Sequence, residues 1–317
     1  MRSLFRISCS LALVALVIAL VGPQRVLAAF ATADPRWLGA GLGAAILATL
    51  LSAGRWHALA AWLGADAPYG AMLTAYWRGI TTNTVLPGGH LGGDAMRALH
   101  LQRRGHPLGV AAASVVLDRF SGLWMLMAIS LAGTALAQAL HILPAGLLRW
   151  PAALTALLAA AVLAAPLLLW QISTRLARWL PAKLASALAI VHQRPQPLRL
   201  YFGQMLWSAA VQGLSILAFV SGARAVGLDL SLAEFAAAAG PIFILAALPV
   251  SIGGWGTREA AAAVTLAPLG APHELAVAAA VIYGLFAALQ GLAGAFTFLH
   301  AKSDAAADSN SGENHAR

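Results

Sequence analysis

Stretches of about twenty apolar residues recur along this chain of 317 residues, and they constrain its fold more than any other feature. A helix needs roughly 20 apolar residues to cross the hydrocarbon core of a bilayer. Hydrophobic residues make up 60% of the chain and charged residues 10%, against about a half and a quarter in soluble domains. We therefore predict an all-α polytopic integral membrane protein with six full spans. They lie at about 8–28, 37–54, 110–139, 150–171, 201–222 and 274–300.

Two further segments, about 68–98 and 234–270, are apolar but broken by glycine, proline and charge, and ordinary hydropathy would raise the count to about eight spans. Backbone groups freed at a break cannot face lipid, where each costs several kcal/mol, so they must be buried in protein or line a polar cavity. We expect re-entrant segments, with an ordinary loop as the alternative for the first. The residues expected to open the backbone are Pro87, Gly88, Gly89, Gly92, Gly93, Pro249, Gly253, Gly254 and Gly256.

The two broken segments share an order of residues, "LPGGHLGG" from Leu86 and "LPVSIGG" from Leu248. Each half of the chain reads as span, span, broken segment, span, which is the pattern of an inverted repeat whose broken helices meet at the binding site. Chance similarity of two short fingerprints is the alternative. We predict one transmembrane domain, residues 1–300, with halves of about 1–140 and 141–300. A polar tail at 301–317 is expected to be disordered.

Basic residues set the predicted orientation. The formal net charge of +9 would suggest a nucleic-acid partner for a soluble protein, but here the arginines gather in short loops such as 97–109 and 172–200. The positive-inside rule places such loops in the cytoplasm. We predict a bacterial inner-membrane protein with both termini cytoplasmic and no nucleic-acid partner. Residues 1–29 also resemble a signal peptide, and an uncleaved first helix is the favoured reading.

Charges inside the predicted spans indicate where function resides. Asp118 and Arg119 lie eight or nine residues into the span that starts near 110. That is roughly 12 Å along the helix, where each charge costs about 2.5–3.5 kcal/mol. Asp118 is expected to pair with Arg97 or Arg55, and Arg119 with Asp94 or a ligand anion. A structural ion pair that locks helices together is the alternative.

The second broken segment places Arg258 and Glu259 after a glycine cluster, at the start of an alanine-rich helix. A helix N-terminus beside an arginine suits phosphate or carboxylate. A capped helix with a local salt bridge is the alternative. The side chain of Asn83 is expected to hydrogen-bond the broken backbone in preference to a ligand. The predicted substrate-binding residues are Asn83, Asp94, Arg97, Asp118, Arg119, Arg258 and Glu259.

Signals for catalysis or metal binding are weak. His90 and Asp94 are four residues apart, but the glycines between them argue against a shared helix face, and Cys9 is the only thiol. The chain has no HExxH, GxSxG or Walker sequence. We predict no metal, no cofactor and no catalytic residue. Aromatic residues bordering the broken segments, Tyr76, Trp77 and Trp255, are predicted to anchor helix ends at the membrane interface.

Three motifs carry a family resemblance: "NTVLPGGHLGGDAMR", "LDRFSGL" and "LPVSIGGWGTRE". In this order they resemble the lysylphosphatidylglycerol synthase transmembrane-region family, also called flippase-like membrane proteins, over about residues 10–300. The resemblance implies lipid movement to the outer leaflet. In the best-known members the lipid is an aminoacylated phosphatidylglycerol made by an attached synthase domain, and other members accompany glycolipid, hopanoid or lipid-linked saccharide pathways. The seventeen-residue polar tail here leads us to expect no synthase domain.

The predicted function is binding and transbilayer movement of a phospholipid or lipid-linked amphiphile with a phosphate headgroup. Arginines would hold the phosphate, and acidic residues would balance them while the site is empty. The expected partners are a membrane lipid or lipid-linked saccharide, with lipid-synthesis enzymes in trans as further candidates. Two alternatives stay open: an intramembrane enzyme acting on a lipid-linked phosphate, and a non-transporting accessory subunit of a lipid or glycolipid synthesis pathway.

Overall fold

The computed structural model describes residues 23–85, 91–144, 146–179, 194–248, 251 and 253–314. Every regular element in those ranges is helical, which confirms the all-α class. A 3₁₀ turn at Ala267–Leu269 joins the last two α-helices. Numbered along the described chain, the helices are α1 (Pro23–Ala31), α2 (Pro35–Trp62), α3 (Tyr69–Val85), α4 (Leu91–Arg103), α5 (Leu108–Ala139), α6 (Ala152–Ala177), α7 (Pro197–Ala225), α8 (Leu232–Ala247), α9 (Thr257–Leu266) and α10 (His273–Asn314).

Five of these helices (α2, α5, α6, α7 and α10) are long and apolar enough to cross a membrane, as a polytopic all-α membrane protein requires. They correspond to five of the six predicted full spans. The remaining one, 8–28, falls mostly outside the described residues. Helix α2 continues to Trp62, beyond its predicted end at 54. The charge of Arg55 marked that predicted end, but Arg55 is buried against the carboxylate of Asp118, so it does not stop the helix.

The first broken segment forms a pair of antiparallel helices, hairpin A, consisting of α3 and α4. Thr82 contacts Met96, and the side chain of Asn83 accepts a hydrogen bond from the backbone of Gly93. Pro87, Gly88 and Gly89 lie outside the described residues. Gly92 and Gly93 belong to the first turn of α4, and not to the break where the sequence placed them. The reason is that first-turn N–H groups lack helical partners, and Asn83 supplies an acceptor for one of them.

The second broken segment forms hairpin B, consisting of α8, α9 and the non-helical chain between them. Gly253, Gly254 and Gly256 have φ angles of +56°, +77° and +85°, in the left-handed region that favours glycine. A Cβ atom on Gly254 would lie 2.9 Å from the carbonyl oxygen of Ala246, so the chain folds tightly against α8. These three glycines lie in the non-helical chain that separates α8 from α9. Pro249 lies outside the described residues.

Each hairpin packs on a helix that belongs to the other half of the chain. Hairpin A packs through α3 on α10, and hairpin B packs through α8 on α5, while α2 and α7 pair between them. A Cβ atom on Gly291 of α10 would lie 2.7 Å from the hydroxyl of Thr84. One on Gly240 of α8 would lie 2.8 Å from the Cβ atom of Ser130. Small residues at these crossings let the helix backbones approach closely.

Helix α8 contains Pro241, which has no N–H group and cannot donate to the carbonyl of Ala237. The hydroxyl of Ser130 donates to that carbonyl instead, over 2.6 Å. A serine on α5 therefore satisfies the acceptor that the proline frees on α8. The hydrogen bond holds hairpin B against α5.

Candidate functional site

A cavity of about 710 Å³, here called the charged cavity, lies between the two hairpins. Its walls come from α2, α3, α4, α5, α7, α8, α9, α10 and the glycine-rich chain before α9. Six of the seven predicted substrate-binding residues line it, and Glu259 does not. The charged residues in the described lining are Arg55, Asp94, Arg97, Asp118, Arg119 and Arg258.

Asp118 joins three helices through its carboxylate. Its Oδ1 accepts a hydrogen bond from Nε of Arg55 over 2.8 Å. Its Oδ2 accepts one from Nη2 of Arg97 over 2.6 Å. The side chain of Asp118 is only 1% exposed, so the pairing replaces the hydration that burial removes. The sequence offered Arg97 and Arg55 as alternative partners of Asp118, and the structure contains both.

Arg119 and Asp94 form a bidentate pair, as predicted. Nε of Arg119 lies 2.9 Å from Oδ2 of Asp94, and Nη2 lies 2.8 Å from Oδ1. Asp94 also lies 3.5 Å from Nη1 of Arg97, which connects this pair to Asp118. The side chain of Arg119 is 39% exposed, against 5% or less for the other arginines in the described lining. Arg119 therefore has the most exposed side chain of the arginines in the described lining.

Arg97 lies between two aromatic rings. Its Cζ atom is 4.3 Å from the ring centroid of Trp56 and 4.5 Å from that of Tyr76, a geometry in which cation–π attraction stabilises the guanidinium. The buried Nε of Arg97 has no hydrogen-bond acceptor among the described residues. Tyr76, which the sequence presented as an interface anchor, thus holds an arginine in the cavity wall.

Arg258 and Glu259 pair next to each other at the start of α9. Nη2 of Arg258 lies 2.6 Å from Oε1 of Glu259, and the other carboxylate oxygen accepts a hydrogen bond from the backbone of Gly256. Glu259 is fully buried, so it caps the helix and balances Arg258 without reaching the cavity. Arg258 lies over the ring of Trp255, 4.9 Å from its centroid, and lines the cavity. Glu259 therefore fits the alternative interpretation of the sequence, in which it caps the helix and forms a local salt bridge.

Arg97 and Arg258 hold matching positions in the two hairpins. Each follows by five residues the first glycine of a Gly–Gly pair, Gly92 or Gly253. Arg97 is 2% exposed and Arg258 is 3% exposed, and each contacts aromatic rings. The two halves therefore supply similar buried cations to one cavity.

The hairpins also touch at their broken ends. Asn83 Oδ1 accepts a hydrogen bond over 2.8 Å from the backbone N–H of Gly93, in the first turn of α4. A Cβ atom on Gly253 would lie 3.7 Å from the carbonyl oxygen of Asn83. Asn83 thus lies where hairpin A meets hairpin B, and its side chain also lines the charged cavity.

Several lining residues were absent from the predicted site. Arg55 was named as a partner for Asp118, and its position inside an apolar helix could have placed it in the site. Tyr283 and Gln290 of α10 gave no sequence signal, because single polar side chains in an apolar helix are common. Gln290 accepts a hydrogen bond from Thr49 over 2.6 Å, which joins α10 to α2 beside the cavity.

At the end of α4, outside the membrane-crossing helices, burial and the charges of Arg104, Arg78 and Arg103 lower the pKa of His100 to about 4. The neutral ring accepts a hydrogen bond from Nε of Arg104 over 3.1 Å. The parts of the chain that the structure describes contain no group of three His, Cys, Asp or Glu side chains that could hold a metal ion.

Comparison with known proteins identifies the family of this chain. No curated protein matches the sequence. A protein family described as the lysylphosphatidylglycerol synthase TM region matches residues 4–294, a range that contains both hairpins and the charged cavity. This chain therefore belongs to the lysylphosphatidylglycerol synthase TM region family, and it is a membrane protein linked to lipid metabolism.

Proposed function

We propose that the protein binds a phospholipid or lipid-linked amphiphile through a phosphate headgroup and moves it across the bilayer. The observation that carries the proposal is the charge of the cavity. Its described lining contains four arginines and two aspartates. Glu259 does not line the cavity, but its carboxylate neutralises one of these arginines, Arg258. Four positive charges less three negative charges leave a net charge of +1, which the single negative charge of a phosphodiester would neutralise.

The donors in the cavity suit phosphate. Arginine presents a planar fork of N–H groups that matches phosphate oxygens, and such charge-assisted hydrogen bonds are stronger than neutral ones. Arg119 presents the most exposed of the cavity guanidinium groups. Arg97 and Arg258 add further positive charge to the described lining of the cavity.

Translocation is supported by the packing of each hairpin on a helix from the other half of the chain. Hairpin A packs on α10 and hairpin B on α5, and Arg97 and Arg258 occupy matching positions. Re-entrant hairpins in an inverted repeat would produce this pattern, with α2 and α7 beside the axis. Transporters of that design expose one central site to each side in turn by rocking one half against the other. We propose that mechanism here, in a bacterial inner membrane with cytoplasmic termini.

The enzyme alternative lacks a free acid or base in the described lining. Both carboxylates there, Asp94 and Asp118, are already engaged by arginines. The accessory-subunit alternative does not require the exposed guanidinium of Arg119. Lipid-synthesis enzymes in trans would fit either reading as suppliers of the lipid.

The test compares Arg119→Gln with Arg224→Gln. Arg224 is a matched control because it is 35% exposed, pairs with Asp229 over 2.8 Å and does not line the charged cavity. Native mass spectrometry of each purified protein, with analysis of bound lipids, measures the enrichment of phosphate lipids over the bulk membrane. We expect enrichment on the wild type and on Arg224→Gln. It should fall about tenfold to a hundredfold on Arg119→Gln, because a hydrogen bond to a charged group contributes about 1.5–3 kcal/mol.

Movement is then measured in phosphatidylcholine vesicles that contain a trace of phosphatidylglycerol with a fluorescent acyl chain. Dithionite bleaches only the fluorophore in the outer leaflet, so translocation increases the bleached fraction beyond one half. We expect this increase with the wild type and Arg224→Gln, and not with Arg119→Gln. Equal lipid enrichment on both variants would overturn the headgroup assignment. A chemically altered lipid, lost on Asp94→Asn while binding persists, would favour the enzyme instead.

A further inference from the structure

A second cavity of about 740 Å³, here called the apolar cavity, lies beside the charged one. Its walls come from α5, α6, α8, α9, the 3₁₀ turn and four residues of the chain between α5 and α6, which are Leu143, Leu147, Leu148 and Trp150. Leucine side chains dominate it, and no charged residue occurs in its described lining. Its volume falls in the range of about 300–1,000 Å³ that is usual for small-molecule sites. The proposed headgroup site makes no use of it.

One face of α5 connects the two cavities. Val116, Phe120 and Leu123 line the charged cavity, and Met127 and Leu131 line the apolar cavity. Successive members lie three or four residues apart, so they form one continuous stripe along the helix. The first four are 65%, 48%, 44% and 42% exposed and Leu131 is half-buried, so most of the stripe is accessible to a ligand. We call these five residues the α5 stripe.

Helix α8 likewise borders both cavities. Phe243 and Ala247 face the charged cavity, and Pro241, Ile244 and Leu245 face the apolar one. The two cavities are therefore neighbours along the same pair of helices. A molecule with one polar and one apolar end can occupy both at once.

The apolar cavity is suited to hydrocarbon because three of the four hydroxyl groups in its described lining are already paired. Ser130 donates to Ala237, and Thr134 donates to the carbonyl of Ser130 over 2.8 Å. Thr155 donates to the side chain of Gln138 over 2.7 Å. These groups need no hydrogen bond from a ligand, so an apolar chain beside them would leave none of the three donors unsatisfied.

The length of the stripe matches an acyl chain. From Arg119 to Ser130 helix α5 rises about 16 Å, at about 1.5 Å per residue. The acyl chains of one leaflet fill about 15 Å, half of a hydrocarbon core about 30 Å thick. A lipid with its phosphate beside Arg119 would thus place the end of its chain in the apolar cavity.

We infer that the α5 stripe and the apolar cavity bind one acyl chain of the lipid whose phosphate occupies the charged cavity. This inference rests on the proposed function. The lipid keeps one chain on α5 while its headgroup is bound, so the protein recognises the whole amphiphile. With residues 97–109 in the cytoplasm, the chain points outward from the headgroup, which is the orientation of an inner-leaflet lipid.

The first experiment uses the wild-type protein in phosphatidylcholine vesicles. One sample contains a trace of phosphatidylglycerol with a diazirine at the end of an acyl chain, and the other contains diacylglycerol with the same labelled chain. After irradiation, mass spectrometry locates the labelled peptides. We expect the phosphate lipid to label the stretch Met127–Thr134 at least fivefold more than diacylglycerol does. The two probes should label the region of Leu136 equally, because that side chain is 51% exposed and lines neither cavity.

The second experiment blocks the stripe. Met127→Trp fills the path between the cavities, and Leu136→Trp places the same bulk elsewhere on α5. We expect Met127→Trp to lose at least four fifths of the chain-end labelling within the apolar cavity. Leu136→Trp should keep it. If Met127→Trp does not fold, the acyl-chain site is still tested by comparing how the two probes label the wild-type protein.

Binding of dihexanoyl phosphatidylglycerol separates this inference from the proposed function, because its chains are too short to reach the apolar cavity. Saturable binding that Arg119→Gln abolishes, together with equal labelling of the stripe by both probes, would overturn the acyl-chain site alone. If the wild type binds no phosphate lipid at all, the proposed function fails and the inference fails with it. Binding with fivefold selective labelling supports both.

Discussion

Replacing Asp118 with asparagine removes one charge while it keeps the shape of the side chain. In the wild type the carboxylate accepts hydrogen bonds from Arg55 and Arg97, and all three side chains are at most 5% exposed. Asparagine still offers one oxygen, but its NH₂ group points a donor at one of the two guanidinium groups. Arg55 would then have no carboxylate partner in the described structure, where it also donates a hydrogen bond to the hydroxyl of Ser208.

The expected cost follows from that burial. Removing one partner of a buried ion pair destabilises a protein by about 3–5 kcal/mol, because a buried charge is left uncompensated. Arg97 retains a contact of 3.5 Å with Asp94, which limits its own loss. We therefore expect Asp118→Asn to lower the free energy of unfolding by about 3 kcal/mol, the lower end of that range.

The assay is reversible unfolding of the protein in mixed micelles as the mole fraction of a denaturing detergent increases. Asp66→Asn is the matched control, because the side chain of Asp66 is 83% exposed. A surface substitution of that kind should change stability by less than about 0.5 kcal/mol. Adding Arg55→Met to Asp118→Asn should recover part of the loss, because it removes the unpaired cation. If Asp118→Asn unfolds at the same detergent fraction as Asp66→Asn, the buried charges do not hold these helices together.

Three further predictions use other features of the fold. Gly254→Ala should cost about 1–3 kcal/mol in the same assay, because the residue has a φ of +77°. Gly39→Ala should cost nothing, since a Cβ atom there meets no neighbour within 4 Å. Ser130→Ala should cost about 1–3 kcal/mol by leaving a carbonyl unpaired, but much less in a Pro241→Ala background that restores the helical N–H donor. For His100, the folded-state pKa of about 4 lies below the unfolded value of 6.5, so the folded protein binds fewer protons. Stability should fall as the pH falls from 6.5 to 4, and a smaller fall in His100→Gln would identify this ring as the cause.

The interruption between α8 and α9 could be anticipated from sequence because glycine and proline interrupt an apolar segment that lipid would otherwise keep helical. The partners of Asp118 could be predicted for a similar reason, since a charge within a span requires an opposite charge. Gly92 and Gly93 were misplaced because glycine is equally compatible with a break and with the first turn of a helix. Only the contact across the hairpin with Asn83 distinguishes the two.

The aromatic neighbours of the arginines could not be predicted in this way. Trp56 belongs to α2 and Tyr76 to α3, and nothing in local sequence indicates that both rings lie on Arg97 of α4. Such contacts depend on how the helices cross. The end of α2 was predicted wrongly for the same reason. Arg55 can be buried within this helix because it pairs with Asp118 of α5, and local sequence does not show that contact.

The net charge of +1 in the charged cavity has an electrical consequence. For the carrier proposed above, a membrane potential that is negative inside would stabilise the empty, positive site when it faces the cytoplasm. Binding an anionic lipid makes the site neutral, so the potential no longer opposes its turn toward the outside. After release the site is positive again, and one charge moving through the full potential gains about 2.3 kcal/mol per 100 mV. The same arginines that hold the headgroup would thus let the membrane potential drive the return of the empty carrier and favour export from the inner leaflet.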